Sequence, residues 1–311
     1  MQEITKKQRN YYREPTWFKT IKYTLLVLFS LFFLFPIYAL VINSVMPYEQ
    51  IQGMRSLWPE YFEFSTYTKV FTDGGFKIVF SGTFPFVKIV LSGYIRYLFN
   101  TILVCILNIS GVCIASSLTA YAISKLDFWG KNFVFACIMG MVLLPSTILS
   151  IPLYIIYSKL GWVGTLYPLW VPMWFGGGTM NIFLVRQFMK GIPKSYSEAA
   201  SLDGANSFQV FVRIILPLVK PILIYLAVTG FFGNWNDFSG PLMYVRDEEK
   251  NWTLSLALYM IFGTDSLGTG TEKYMNNQMA VGVMMMIPCV ILFAFFQKTI
   301  MEGISVIGVK G

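Results

Sequence analysis

The chain has 311 residues, 55% of them hydrophobic and only 13% charged, with a formal net charge of +8. Soluble domains are nearer one-quarter charged, so this composition excludes an ordinary soluble protein and indicates one that lives in a bilayer. Histidine is absent, which removes the commonest metal ligand and general base and argues against a zinc or Ser-His-Asp enzyme.

The stretch 1–21 is basic and lacks a short apolar core with a small-residue cleavage site, so it reads as a retained cytoplasmic tail. A helical span needs about 20 mostly apolar residues. Charge-free runs place six spans, at 22–46, 96–122, 132–158, 162–186, 214–236 and 275–298, in a membrane domain covering 22–300. The fifth requires Lys220 to snorkel to the interface. All four cysteines (Cys105, Cys113, Cys137 and Cys289) lie in apolar runs and read as small core residues. Pro36, Pro145, Pro152, Pro168, Pro172, Gly176, Gly177, Gly178 and Pro288 interrupt the spans. Such breaks face protein or a water-filled path more readily than lipid, although ordinary kinks in a packed bundle are the alternative.

Six spans put both termini on one side. With the termini and loops 125–131 and 186–220 inside, the inside carries 15 Lys and Arg against 6 acidic residues; the outside carries 9 against 10. This is the positive-inside bias, so the basic balance reflects topology and not nucleic-acid binding. The segments 49–96 and 237–273 then lie outside as ordered loops, with 251–264 as an amphipathic surface helix.

The polar loop 195–217 is longer than a helix connection needs to be. Ser195 and Glu198 have capping-box spacing for a short helix ending at Leu202. Asp203-Gly204 breaks that helix, and Asn206 starts a second one with Phe208, Phe211, Val212 and Ile215 at helical spacing. The pattern suits a cytoplasmic docking element, or an amphipathic loop resting on lipid.

Glu198-Ala199-Ala200, three residues, Gly204, nine residues and then Ile214-Ile215-Leu216-Pro217 match every fixed position of the pattern EAA-x3-G-x9-I-x-LP. In this the chain resembles the permease subunits of binding-protein-dependent ABC importers. The stretches SLWPEYFEFSTYTKVF, YLFNTILV, NWNDFSGPL and EGISVIGVKG extend the likeness to carbohydrate importers of the maltose type. Within these the nearest subgroup is the oligosaccharide and polysaccharide-fragment permeases of Gram-positive bacteria.

The resemblance implies an all-α integral membrane protein with the type I ABC importer permease fold, multi-pass in the bacterial cell membrane with both termini cytoplasmic. The implied partners are a second homologous permease, two cytosolic ABC ATPases and an extracellular, lipid-anchored solute-binding protein. No cofactor is expected on this chain. It has no phosphate-binding G-x-x-x-x-G-K-[ST] loop, so ATP and Mg would sit on the ATPases and the chain would not be an enzyme.

By the same resemblance, Glu198, Ala199, Ala200, Asp203, Gly204, Ile214, Leu216 and Pro217 form the ATPase-coupling loop. Glu198 makes the charged contact, Ala199 and Ala200 the close-packed face and Gly204 the turn. The tail 301–311 reaches the ATPases through Gly303, Gly308, Lys310 and Gly311. Asn181, Asn234, Trp235, Asn236 and Asp237 are candidates for the substrate pathway or the binding-protein contact; Trp162, Trp170 and Trp174 fit the pathway or an interfacial aromatic belt. An ABC permease for a non-sugar solute shares the signature. A stand-alone secondary transporter is the rival from another class, but it needs intramembrane ionisable groups that the charge-free spans lack.

Overall fold

Apolar length sets where the helices run, and proline and glycine set where they break. The computed structural model describes residues 15–52, 57–68, 79–81, 88–90, 94–262 and 275–308. The helical class holds. The helices are α1 (Thr16–Ser44), α2 (Tyr48–Gln52), α3 (Tyr94–Lys125), α4 (Lys131–Val142), α5 (Ser146–Lys159), α6 (Tyr167–Gly176), α7 (Thr179–Lys190), α8 (Ser195–Leu202), α9 (Ser207–Val210), α10 (Leu216–Leu218), α11 (Lys220–Trp235), α12 (Ser239–Tyr244), α13 (Leu254–Phe262) and α14 (Met275–Gly308). A short antiparallel ribbon, β1 (Val79–Ser81) with β2 (Lys88–Val90), lies between α2 and α3 and pairs Val79 with Val90.

Among the described residues three helices are long and apolar enough to cross a membrane: Thr16–Ser44, Ile95–Lys125 and Gln278–Lys298. Two bent pairs raise the number to five. The first pair replaces the straight third span expected at 132–158: α4 and α5 meet at 105°, with the break before Pro145. The second replaces the fifth. Its helix α11 begins only at Lys220, and the residues before it belong to a piece inclined at 71°, which contains a π-helical turn at Phe211–Ile215. Pro217 and Pro221 lack the N–H groups that would carry a continuous ladder through this bend. The fourth expected span is likewise split into α6 and α7 at Gly177 and Gly178, both at positive φ. Pro36, Pro152, Pro172 and Pro288 sit inside helices.

The described residues fall into two compact units, one made of those within 1–68 and 270–284, the other of those within 69–269 and 285–311. In the first unit α1 is apolar all round, as a lipid-facing helix is. Beyond its end, the buried Gln50 side chain clamps the 57–68 segment by donating to the Trp58 carbonyl and accepting from the Glu60 N–H.

In the second unit α3 is the axis, with α6, α7 and α11 packed along it. One core gathers Val112, Ala120 and Tyr121 of α3, Val185 and Met189 of α7, Ala200 of α8, Val210, Phe211 and Ile215 around the π turn, and Ile222 and Leu226 of α11. A second core joins Tyr97 and Cys105 of α3 to Trp235, Leu254 and Ala257. The segment expected to lie on the surface as an amphipathic helix is therefore half-buried: Leu254, Leu256 and Ala257 of α13 are covered. Polar caps make that burial possible. Asn100 donates to the carbonyls of Lys250 and Trp252, and the Leu254 N–H donates to Thr101 Oγ1. On α7 the buried Arg186 places its guanidinium 3.6 Å over the Phe135 ring of α4, which makes a cation–π contact.

Candidate functional site

Two places along α3 carry the candidate chemistry. The first is the polar loop at its C-terminal end. Helix α8 starts one residue earlier than a cap at Ser195 requires. Lys194, after Pro193, is already helical, and its carbonyl accepts from the N–H groups of Ser197 and Glu198. An N-cap side chain needs extended backbone, so no Ser195–Glu198 capping box forms. The capping box stands instead at the second helix, where Asn206 Oδ1 accepts from the Gln209 N–H and Gln209 Oε1 accepts from the Asn206 N–H. Between the two helices Gly204 sits at φ +84 with open space around it. Only its backbone conformation demands glycine there.

This loop has an inner and an outer face. Ala200 packs into the core, whereas Glu198, Ala199, Asp203 and Pro217 are exposed, so the two alanines do not share one close-packed face. Ile214 and Leu216 are partly buried beside the fully covered Ile215. The Glu198 side chain takes no hydrogen bond or ion pair among the described residues, so its carboxylate is free for a partner. Tyr196, Leu202 and Phe208, which are not among the expected coupling residues, add exposed apolar surface to the same loop; Leu202 is 89% exposed. The foot is fastened to α3. Tyr121 donates to the Ser207 carbonyl at 2.9 Å and its ring packs 5.0 Å from Phe211, while Lys125 donates to the Ile192 carbonyl at 2.7 Å.

The second place is a cavity of about 570 Å³ between α3, α6, α7, α11 and α12. Asn108, Asn181, Thr229, Asn234, Asp237 and Tyr244 supply its polar wall. Asn234 donates to Asn108 Oδ1 at 3.1 Å and to the Gly230 carbonyl, Asn108 donates to the Leu169 carbonyl, and Asn181 donates to the Gly177 carbonyl. The Asp237 carboxylate is held by the backbone N–H groups of Gly240 and Ser239. Desolvation raises its pKa above the usual carboxylate range, against the opposing pull of those two N–H groups.

Of the five residues expected on a pathway, the cavity gathers Asn181, Asn234 and Asp237. It does not gather the other two. Trp235 points into the second core, stacked on Phe231 and donating to the Met285 carbonyl. Asn236 is exposed and donates back to Phe232 of its own helix. Asn108, Thr229 and Tyr244 are the cavity residues that sequence reasoning missed. The signal for part of the wall was present: Leu226, Thr229, Gly230, Gly233, Asn234 and Asp237 recur at three- and four-residue steps, one face of a helix. None of the three spans' tryptophans lines this cavity. Trp162 stacks on Tyr157, Trp170 meets Tyr167 edge-on and Trp174 donates to the Leu107 carbonyl.

In the expected tail, α14 continues unbroken to Gly308, so Gly303 and Gly308 are helical. An isolated glycine weakens a helix without ending it. Lys310 and Gly311 lie outside the described residues.

Residues 111–305 match the family model of the binding-protein-dependent transport system inner membrane component. The chain is 28% identical over 302 residues to the arabinooligosaccharides transport system permease protein AraQ of Halalkalibacterium halodurans, covering 95% of this chain and 97% of that protein. It is 30% identical over 216 residues to the trehalose/maltose transport system permease protein MalG of Thermococcus litoralis, covering 69% and 75%. Its fold is similar to a chain of a bacterial ABC transporter involved in the import of the acidic polysaccharide alginate, with a TM-score of 0.77, 23% identity and coverage of 93% and 98%.

Proposed function

We infer function from one premise: the chain belongs to the family of binding-protein-dependent transport system inner membrane components. It is the permease subunit of an ATP-driven importer, a transport component and not an enzyme, and the solute it moves is an oligosaccharide. The names of its relatives, which include arabinooligosaccharide and trehalose/maltose permeases, support the carbohydrate class.

One observation carries the mechanism. A single unbroken helix, α3, holds the foot through Tyr121 and lines the cavity through Asn108. The two residues are thirteen apart, about 20 Å along a helix at 1.5 Å per residue. A push on the foot therefore reaches the cavity as rigid-body motion, the kind of movement that alternates access between two sides. In this reading the foot faces the cytoplasm, in line with the excess of Lys and Arg on that side. Exposed Glu198, Ala199 and Leu202 meet one of two cytosolic ATPases, where ATP and Mg bind; Gly204 sets the angle of that contact. A second permease completes the pathway, and an external binding protein delivers the sugar to the cavity side.

The test is Gly204→Asp in the assembled importer. Aspartate has open space but must hold positive φ, so the foot turns while the core stays packed. ATP-dependent uptake into proteoliposomes should fall roughly tenfold or more, the size expected when the centre of an interface is lost. Membrane insertion and pairing with the second permease should persist. Wild-type uptake by this variant would defeat the docking role.

A further inference from the structure

Three features of the cavity wall bear on which saccharide it accepts. The first is charge. Asp237 is the only acidic or basic residue among those lining the cavity, and no Lys or Arg pairs with it among the described residues. The second is the state of the donors. Asn108, Asn181, Asn234 and Thr229 all direct side-chain donors at the protein's own carbonyls, and Asn234 spends both of its N–H groups on Gly230 and Asn108. The third is what remains. Asn181 Oδ1 and Asn234 Oδ1 accept from no donor among the described residues, so the wall offers acceptors beside the Asp237 carboxylate, while the second amide N–H groups of Asn108 and Asn181 and the Tyr244 hydroxyl are its remaining donors.

A sugar hydroxyl both donates and accepts, so it satisfies such a wall. A carboxylate only accepts, and it carries the same charge as Asp237. A like-charge contact in a partly dehydrated cavity is stronger than in water, because fewer waters screen it.

We propose that this cavity selects saccharides by charge, accepting neutral, hydroxyl-rich chains and rejecting uronate-bearing ones, with Asp237 as the determinant. The proposal rests on the carbohydrate reading above and narrows it. Selection here is separate from selection by the binding protein, since these groups belong to the permease itself. The position of Asp237 makes the role specific. It stands one turn from Asn234 on the cavity face, while the intervening Trp235 is turned into the core.

The experiment uses the whole importer in lipid nanodiscs with the binding protein left out. Binding of arabinotriose and of trigalacturonate is measured by calorimetry at low and high salt. Wild type should bind the neutral trisaccharide at least about tenfold more tightly, and high salt should shrink the difference because screening weakens charge repulsion. Asp237→Asn should close most of that gap. Asp237→Glu should preserve it, and Asn181→Asp, which adds a second carboxylate to the wall, should widen it by about tenfold more. The glutamate and Asn181 variants keep the test decisive if Asp237→Asn does not assemble. Equal binding of the two sugars to wild type, or a gap indifferent to both Asp237→Asn and Asn181→Asp, overturns charge selection and leaves the carbohydrate reading standing. If neither sugar binds, or if a non-sugar solute alone stimulates ATP hydrolysis and is imported, the carbohydrate reading falls, and this proposal with it.

Discussion

The foot and the cavity hang on the same helix but are built in opposite ways. The foot is local: twenty-odd consecutive residues make its two short helices, its turn and its cap, and its functional groups point outward. The cavity is assembled from five helices, and its polar groups meet across gaps of up to 126 positions, as Asn108 and Asn234 do. A local device presents chosen side chains to a partner and tolerates change on its exposed face. A distributed device depends on close packing between helices and should fail more severely when that packing is disturbed.

The strongest way to break this contrast is with glycine. At Gly177, near the cavity, a Cβ would lie 2.5 Å from the Ser116 backbone nitrogen, and φ is also positive. Gly177→Ala therefore adds overpacking against α3 to left-handed strain, about 3 kcal/mol together. At Gly204 in the foot φ is positive but nothing lies within 4 Å. Gly204→Ala should cost only about 1 kcal/mol. Thermal unfolding of the two variants in the same detergent measures the difference. Equal losses would mean that the foot is packed as tightly as the cavity wall.

Next in size is Asn108→Leu. It strips the Leu169 carbonyl and one Asn234 N–H of their partner in a largely buried setting. The expected loss is about 2 kcal/mol, the cost of leaving buried polar groups unpaired. Tyr121→Phe should be milder, about 1 kcal/mol, because it removes one hydrogen bond to Ser207 and keeps the ring against Phe211. Its signature should be functional: ATP hydrolysis retained while uptake per ATP falls, since the foot loses its tie to α3. Uptake and hydrolysis falling in proportion would show that this bond does not transmit motion.

How much of each device can be read in the sequence follows from the same contrast. The break at Asp203-Gly204 and the start at Asn206 were legible because capping and positive φ are properties of a few adjacent residues. The supposed box at Ser195 failed on a local detail, the helical conformation of Lys194. In the cavity, Asn234 and Asp237 were legible as polar residues but not separable from Trp235 and Asn236 until helical phase was applied. Asn108 was hidden for a different reason. It is one of two amides, with Asn100, in a long apolar span, and only tertiary contact with α6 and α11 shows what it does. The bends had the same origin: proline and glycine marked candidate breaks, but packing decided that Pro145 and Gly177 would break a span while Pro36 and Pro288 would not.

The smallest expected effect concerns pH, and it probes the cavity alone. Desolvation raises the Asp237 pKa in the folded protein above its unfolded value, which is near the ordinary 3.9 of aspartate. Between those two values the folded state holds more protons than the unfolded state, so stability falls as pH rises through that window and is level above it. Tyr244, the other titratable group on the cavity wall, also has a raised pKa and stays neutral throughout, so it adds no slope. Asp237→Asn has no proton to lose and should lack this component. The wild-type unfolding temperature should therefore drop relative to that of the variant as pH rises above about 4, by an amount worth less than about 1 kcal/mol given the partial exposure of the group. If Asp237→Asn follows the wild-type profile across this window, the cavity carboxylate is no more desolvated in the folded protein than in the unfolded chain, and the contrast between the two ends of α3 fails at its electrostatic step.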